Sequence, residues 1–373
     1  MKRVCIFCER WESGGIESFL YNVLTRIDLS VIRVDLVAAS LGESIFTREL
    51  KERGVRFLEL SGSLRKTAEN FRRLRALMDE FHYDVFYLNA YQGLSLACLR
   101  LARKAGVSVR IAHSHNTALR KSPARPLKLA VHRWAKERYT REATDLWACS
   151  SSAAEFLFSG HELEDRGFRM IPNGIDTRRF RFDPAVRDAV RRELGFDGLF
   201  VVGNVGRLCY QKNQSFLLDA FAELLKKKSE SRLLLIGEGE DKRILLEKAQ
   251  KLKIDGKVWF YGSCDRVEHL LWAMDVFVLP SRFEGLPVTG IEAQAAGVPC
   301  VFSDAVTQEC RLTDSVRFLS LSVGAEVWAG GILQAGVSEH FRESEFFVRE
   351  AGFDIAQVAG GIEKYFLGPG SNV

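Results

Sequence analysis

Short apolar runs alternate with amphipathic helical patterns along this chain, and the alternation happens twice. In the first half the runs are RVCIFC (3–8), RVDLVAAS (33–40), VRFLEL (55–60), DVFYLN (84–89), VRIAHS (109–114) and DLWACS (145–150), with helical patterns between them, for example over 16–26 and 67–80. Runs that are apolar almost throughout predict parallel strands buried on both faces, hence a doubly wound α/β sheet. A turn-rich stretch, IPNGIDTRRFRFDP (171–184), then interrupts the pattern. It restarts with LFVVGNVG, RLLLIG, KVWFYG, VFVLP and PCVFSD, joined by helical segments at 214–228, 241–253 and 285–296. A chain of 373 residues exceeds one ordinary core. The expectation is two Rossmann-like domains, 1–178 and 179–355, with 356–373 a helix returning to the first. Such domains would face each other across a cleft lined by the carboxyl ends of their strands, where ligands of open α/β sheets bind.

Net charge is +5, from 53 basic and 48 acidic residues. That is too mild to imply nucleic acid, but it suits an anionic ligand or a membrane surface. Eight cysteines are scattered, and the one CxxC (Cys5, Cys8) lies inside the first predicted strand with no second CxxC to complete a zinc set. They read as free thiols in a reducing compartment. The N-terminus shows no signal-peptide pattern, and no apolar run approaches the roughly 20 residues that span a bilayer. The expected location is cytoplasmic, or peripheral on the inner face of the membrane.

Four stretches carry chemistry. In SRFEGLPVTGIEAQAAG (281–297) a strand ending at Pro280 delivers Glu284 to the sheet edge. Gly285 permits a tight turn, and the N–H groups around Gly285 and Leu286 can face an anion at a helix N-terminus. Glu292 follows just over two helical turns later, and both carboxylates can reach one ligand if Glu284 sits in the loop. An acidic first turn plus a solvated helix residue would explain Glu292 but not the loop. In GNVGRLCYQKN (203–213), Arg207 and Lys212 leave a strand end five residues apart, which suits a diphosphate. The glycine spacing is not that of a P-loop, and two surface cations would look alike. ESGGIESF (12–19) places Gly14 and Gly15 before a helix but lacks GxGxxG, so a plain strand–helix turn fits equally well. IAHSHNT (111–117) points His113 and His115 the same way. A metal pair would need a third ligand that nothing adjacent supplies, so His115 reads as a neutral hydrogen bonder facing the cleft.

Together, GGIESF, HSHNT, IPNGID, GRLCYQKN, IGEGE and FEGLPVTGIEAQAAGVP resemble the retaining glycosyltransferases of the GT4 family, which have the GT-B fold and a Glu-x7-Glu motif. The matches run from residue 14 to about 304. HSHNT and EAQAAGVPC are similar in style to enzymes that build capsular or extracellular polysaccharides. The resemblance implies that Arg207 and Lys212 hold the diphosphate of a nucleotide-sugar, by family habit a UDP-sugar. It implies that Glu284 contacts the donor sugar, that the amides of Gly285 and Leu286 contact the distal phosphate and sugar, and that Glu292 accepts from the ribose hydroxyls. Gly14 and Gly15 would approach the diphosphate from the other domain, His115 would bond the sugar near the reacting centre, and IGEGE, with Glu238, would lie near the nucleotide. His115, Arg207, Lys212 and Glu284 are then the catalytic set. Cations at the leaving diphosphate stabilise charge that develops in the transition state. No Asp-x-Asp occurs in the chain, so no metal and no tightly bound cofactor are expected. Retention implies front-face attack by a glycan or lipid-linked acceptor, with the departing phosphate as base and no obligatory carboxylate nucleophile. Beyond Asp304 the sequence is only loosely family-like.

Residues 120–141 hold eight Lys or Arg and one Glu, interleaved with Leu127, Leu129, Val131, Trp134 and Tyr139. Segment 64–78 places Leu64, Ala68, Phe71, Leu74 and Leu77 on one stripe with basic flanks. Either helix could rest on anionic lipid or cover a core. A sugar-nucleotide epimerase on the same double-Rossmann plan, and a non-catalytic nucleotide-sugar-binding protein, are the rival readings.

Overall fold

The computed structural model describes residues 1–119, 125–336 and 343–368. The chain divides into two compact units. The first joins Met1–Gly174 to the segment from Ile355 onward, and the second is Ile175–Asp354.

The first unit is built on seven parallel strands: β1 (Lys2–Trp11), β2 (Ile32–Leu41), β3 (Arg56–Glu59), β4 (Val85–Ala90), β5 (Val109–Ser114), β6 (Asp145–Ala148) and β7 (Arg169–Met170). Their order is β3-β2-β1-β4-β5-β6-β7, so the winding reverses between β1 and β4. Strand β1 serves two cores, which is why it reads as continuously apolar. Val4, Ile6 and Cys8 enter the cluster packed under the helices Gly15–Leu24 and Ile355–Leu367, whereas Cys5 and Phe7 enter the cluster on the other face. Cys5 and Cys8 are thus buried, free and divided between opposite faces of the sheet. The helix Ile355–Leu367 buries Ile355, Val358, Ala359, Ile362 and Phe366, spacings that form one apolar stripe. Phe366 lies edge-on to Tyr87 at 5.6 Å, and Asp28 N donates to Glu363 Oε1 at 2.9 Å.

The second unit has six parallel strands: β8 (Phe200–Val205), β9 (Ser231–Ile236), β10 (Val258–Gly262), β11 (Val276–Leu279), β12 (Cys300–Ser303) and β13 (Val316–Leu319). Their order is β10-β9-β8-β11-β12-β13, with the reversal between β8 and β11. Strand β13 and the helix Gly324–Ala335 come from the stretch between Asp304 and about residue 345, in which the sequence reading found no element. The helix expected over 285–296 begins only at Val288. Pro287 disfavours the α conformation at Leu286, so residues 284–287 stay a loop.

Two glycines seat the β8 loop against the β9 loop. A Cβ on Gly237 (φ +130°) would lie 2.2 Å from Gly206 O, and one on Gly239 would lie 2.1 Å from Leu208 O. The backbones are joined by Leu208 N to Glu238 O and Asp241 N to Leu208 O, both at 3.0 Å. We predict that Gly239→Ala destabilises the protein by about 2–3 kcal/mol, since backbone atoms must move to admit the methyl. Gly256→Ala, with nothing within 4 Å of its Cβ, should fall within about 0.5 kcal/mol of wild type. Urea unfolding of both variants checks this, and equal effects would refute the packing argument.

Candidate active site

Adjacent strands β8 and β11 deliver the loops 206–213 and 280–287, and backbone and amide contacts stitch these together. Asn213 Nδ2 donates to Pro280 O at 3.0 Å, Gln211 Nε2 to Phe283 O at 3.1 Å, and Arg282 N to Gln211 O at 2.8 Å. Between them Lys212 Nζ meets Glu284 Oε1 at 2.7 Å, with Ser281 Oγ donating to the same oxygen at 3.0 Å. Both side chains are mostly buried. Gly206 makes room for this arrangement, since a Cβ there would sit 3.2 Å from Lys212 Cε. The cation and the carboxylate expected to contact separate parts of a ligand therefore hold each other. Removing either partner of a buried pair strands an unpaired charge, unless a ligand takes over.

Two other expected residues of this unit pair with other partners. Arg207 Nε bonds Glu240 Oε2 at 2.9 Å in an exposed ion pair, and Glu238 pairs with Lys242 at 2.8 Å. No hydrogen bond joins Arg207 or Glu238 to Lys212 or Glu284 among the described residues. Leu286 packs against the apolar cluster of the second unit beside Gly285. Gly290 brings its helix against β12, where a Cβ would lie 3.0 Å from Phe302 Cζ. Next to it the Thr289 hydroxyl is buried with no partner, a group the sequence reading passed over. Burial pushes the Glu292 carboxyl up from 4.5 to about 7, with Arg179 lowering it and Glu268 raising it. The Arg179 guanidinium is itself engaged, its Nε donating to Glu268 Oε2 at 2.9 Å. Neither Arg179 nor Glu268 was expected from sequence.

In the first unit, Gly14 precedes the helix Gly15–Leu24, and the Glu17 carboxylate occupies the space beside it. A Cβ on Gly14 would lie 2.5 Å from Glu17 Oε2, whereas Gly15 has open space. Tyr91 Oη donates to Glu17 Oε1 at 2.8 Å. His115 follows β5, its Nε2 2.9 Å from Asn89 Oδ1 at the end of β4. Burial lowers its pKa to about 4, so the ring is neutral at pH 7. The His113 ring lies 3.9 Å from it, bonded through Nδ1 to Tyr87 Oη at 2.6 Å. No group of three or more metal-ligating side chains gathers among the described residues. Asn89 Nδ2 is buried without a partner, leaving a donor free at this sheet edge.

Two family models match the chain: one described as Glycosyltransferase Family 4 over residues 13–179, and one described as Glycosyl transferases group 1 over residues 186–316. The chain is 31% identical over 372 residues to a Bacillus subtilis (strain 168) protein named glycosyltransferase EpsF, covering 97% of this chain and 95% of that one. It is 28% identical over 254 residues to an Escherichia coli UDP-Gal:alpha-D-GlcNAc-diphosphoundecaprenol alpha-1,3-galactosyltransferase, covering 66% of this chain and 65% of that one. Among solved structures, Anabaena Alr3699/HepE in complex with UDP superposes with a TM-score of 0.76 at 19% identity, covering 97% of this chain and 98% of that one. The structural likeness identifies the fold as GT-B, built from two Rossmann-like domains.

The elevated Glu292 pKa makes a stability prediction. Below about pH 4.5 the group is protonated folded and unfolded, so it costs nothing; above 7 it is ionised in both states and the burial penalty is complete. Glu292→Gln should therefore stabilise the ligand-free protein by an amount that grows between pH 5 and 7 and then levels at on the order of 2 kcal/mol. Thermal unfolding at pH 5 and pH 8 measures it, and a pH-independent gain would contradict the assignment.

Proposed function

This chain belongs to glycosyltransferase family 4, and from that premise we propose that it is a retaining enzyme moving a sugar from a UDP-sugar to a glycan or lipid-linked acceptor in surface polysaccharide synthesis. The observation that carries the reading is the buried Lys212–Glu284 pair at the carboxyl edge of β8 and β11, with Glu292 two turns further on. The relatives support it: the Anabaena protein was solved with UDP, and the Escherichia coli enzyme is named for a UDP-Gal donor and a diphosphoundecaprenol-linked acceptor.

In this reading the donor replaces the Lys212–Glu284 and Arg207–Glu240 pairs with contacts of its own. Its diphosphate takes Lys212 and draws Arg207 from Glu240, while its sugar hydroxyls satisfy Glu284. The ribose diol donates to the Glu292 carboxylate, and the amides of Gly285 and Leu286 face the distal phosphate. Glu238 lies toward the nucleotide, Gly14 and Gly15 approach the diphosphate, and neutral His115 bonds the sugar. The sugar–phosphate C–O bond breaks, and Lys212 and Arg207 stabilise the charge growing on the leaving oxygen. The acceptor oxygen bonds the same face of the carbon and its proton passes to the departing phosphate. The two cations supply charge stabilisation of the kind a divalent metal would supply, so turnover should survive a chelator. Most donor contacts then come from the second unit, with Gly14, Gly15 and His115 added from the first.

No helix among the described residues is long and apolar enough to cross a membrane. Of the 64–78 stripe, Leu74 is buried and Phe71 and Leu77 are half-buried, whereas Leu64 and Ala68 are exposed. The helix Arg125–Tyr139 behaves differently: Leu127, Val131 and Trp134 are exposed by 70%, 36% and 56% amid Arg125, Lys128, Arg133 and Arg138. Arg120 to Ala124, the start of that basic stretch, lie outside the described residues. The proposal places this helix on anionic lipid at the inner membrane face.

Two measurements test these claims. With EDTA present, one UDP-sugar in a donor panel should stabilise the wild type and release UDP. Lys212→Ala should lower release at least about a hundredfold and Arg207→Ala about tenfold; isomerised sugar still attached to nucleotide would instead indicate an epimerase, and binding without turnover a non-catalytic protein. Second, the wild type should co-sediment with phosphatidylglycerol vesicles but not phosphatidylcholine vesicles, and Leu127→Glu/Trp134→Glu should abolish this. Unchanged sedimentation would remove the membrane face.

A further inference from the structure

The amino edge of the first sheet, opposite to the edge that carries Gly14, Gly15 and His115, gathers three arginines that the donor chemistry above does not use. Arg3 and Arg33 are the second residues of β1 and β2, and Arg56 is the first of β3. The strand register sets Arg3 directly beside Arg33, and Asp35 directly beside Arg56. Arg33 and Asp35, two apart on β2, share a face of the sheet. These four side chains line one small cavity of about 90 Å³, walled also by Tyr83 and by Phe81 at the end of the helix Thr67–Phe81.

The one carboxylate in this cavity is fully occupied. Asp35 is buried, and its Oδ1 accepts from Arg56 Nε at 2.8 Å. Its Oδ2 accepts from Arg56 Nη2 and, at 2.6 Å, from Tyr83 Oη. The Arg56 guanidinium also lies over the Phe81 ring, 4.1 Å from its centroid, so its position is fixed from two sides. Arg3 Nη1 donates to Phe81 O at 2.9 Å, a bond to the carbonyl end of a helix that supplies only partial negative charge. Asp84, next in sequence to Tyr83, accepts from Arg3 N at 2.8 Å and faces Lys2 Nζ at 4.0 Å. Arg33 forms no ion pair or hydrogen bond among the described residues. Three guanidiniums against one carboxylate leave two positive charges at the cavity. Like charges directly opposite on neighbouring strands repel, a cost that a bound dianion would remove.

We propose that this cavity binds the dianionic phosphoryl group of a phosphate monoester, with Arg33 and Arg3 as its charge partners and the Arg56 guanidinium as its fixed wall. Guanidinium forks match phosphoryl oxygens, and two uncompensated charges favour a dianion over a monoanionic diester or a carboxylate. The cavity exceeds the space one water needs but falls well short of the roughly 300 Å³ that encloses a whole organic ligand. Only the phosphoryl group enters, and the group it esterifies stays outside. The site is independent of the transferase reading, because its residues lie at the opposite strand ends from those assigned to the donor.

The test titrates the full chain with glycerol 3-phosphate at low salt, read by calorimetry and by thermal unfolding. Binding should be saturable and stabilising, and dimethyl phosphate, a monoanion, should bind at least about tenfold more weakly. Arg33→Gln should weaken glycerol 3-phosphate at least about tenfold, while its ligand-free unfolding temperature equals or exceeds that of wild type. Arg207→Gln, in the second unit, should leave this binding unchanged. Vesicles of phosphatidic acid, compared with phosphatidylglycerol, distinguish the source of the ester. Arg33-dependent preference for phosphatidic acid assigns it to a lipid headgroup, and Arg33-dependent binding of glycerol 3-phosphate alone assigns it to a soluble metabolite. Absence of Arg33-dependent binding to either form overturns the site. Equal binding of dimethyl phosphate overturns the dianion, and a markedly lower unfolding temperature of ligand-free Arg33→Gln overturns the argument from uncompensated charge.

Discussion

A parallel strand covered by helices on both faces has no wet side, and this constraint governs where the chain can place chemistry. Along β1, residues 4 to 8 are all buried and alternate between two apolar clusters. A charged group inside such a strand would need a partner within the core, so polar function is driven to the strand ends. Glu9, Asn89 and His115 lie at the carboxyl ends of β1, β4 and β5. Lys212 and Glu284 lie in the loops that follow β8 and β11. In each sheet the winding order reverses between two central strands, which parts the flanking connections and opens the edge there.

At those edges the ligand-free protein keeps its charges compensated. Lys212 neutralises Glu284, Arg207 holds Glu240, and Arg179 is engaged by Glu268. Groups without a counter-ion are pushed toward neutrality instead: His115 loses its proton easily, and Glu292 keeps its proton up to about pH 7. In the proposed function, an anionic donor rich in hydroxyls supplies what each of these groups lacks. Binding would then release Lys212 from Glu284, and stability given up by burying Glu292 would be recovered by its ribose contacts.

How much of this was legible in the sequence follows from locality. Buried strands announce themselves as unbroken apolar runs. The two-residue β7 and the four-residue β13, at sheet edges and partly exposed with Arg169 and Arg317 inside them, do not. The Glu284 loop was readable because glycine and proline within four residues mark a specific turn. The pairing of Glu284 with Lys212 was not, since each residue has a plausible separate role and only the juxtaposition of β8 and β11 joins them. Arg179 and Glu268 are 89 positions apart and carry no local pattern. The Gly14 reading was incomplete: the sequence offers a ligand as the reason for a glycine, and the structure adds the Glu17 carboxylate. A cavity of about 460 Å³ lined by Glu9, Leu60, Leu74, Leu94 and Lys128 was invisible because separate segments build it, each ordinary by itself.

The central claim is that the Lys212–Glu284 pair is a closed form of the donor site. A crystal structure of the protein with an intact UDP-sugar tests it most directly. The account predicts Lys212 Nζ on a phosphate oxygen, Glu284 on sugar hydroxyls, and the two side chains separated beyond about 4 Å. A donor bound elsewhere, with the pair still in contact at its 2.7 Å distance, would contradict it.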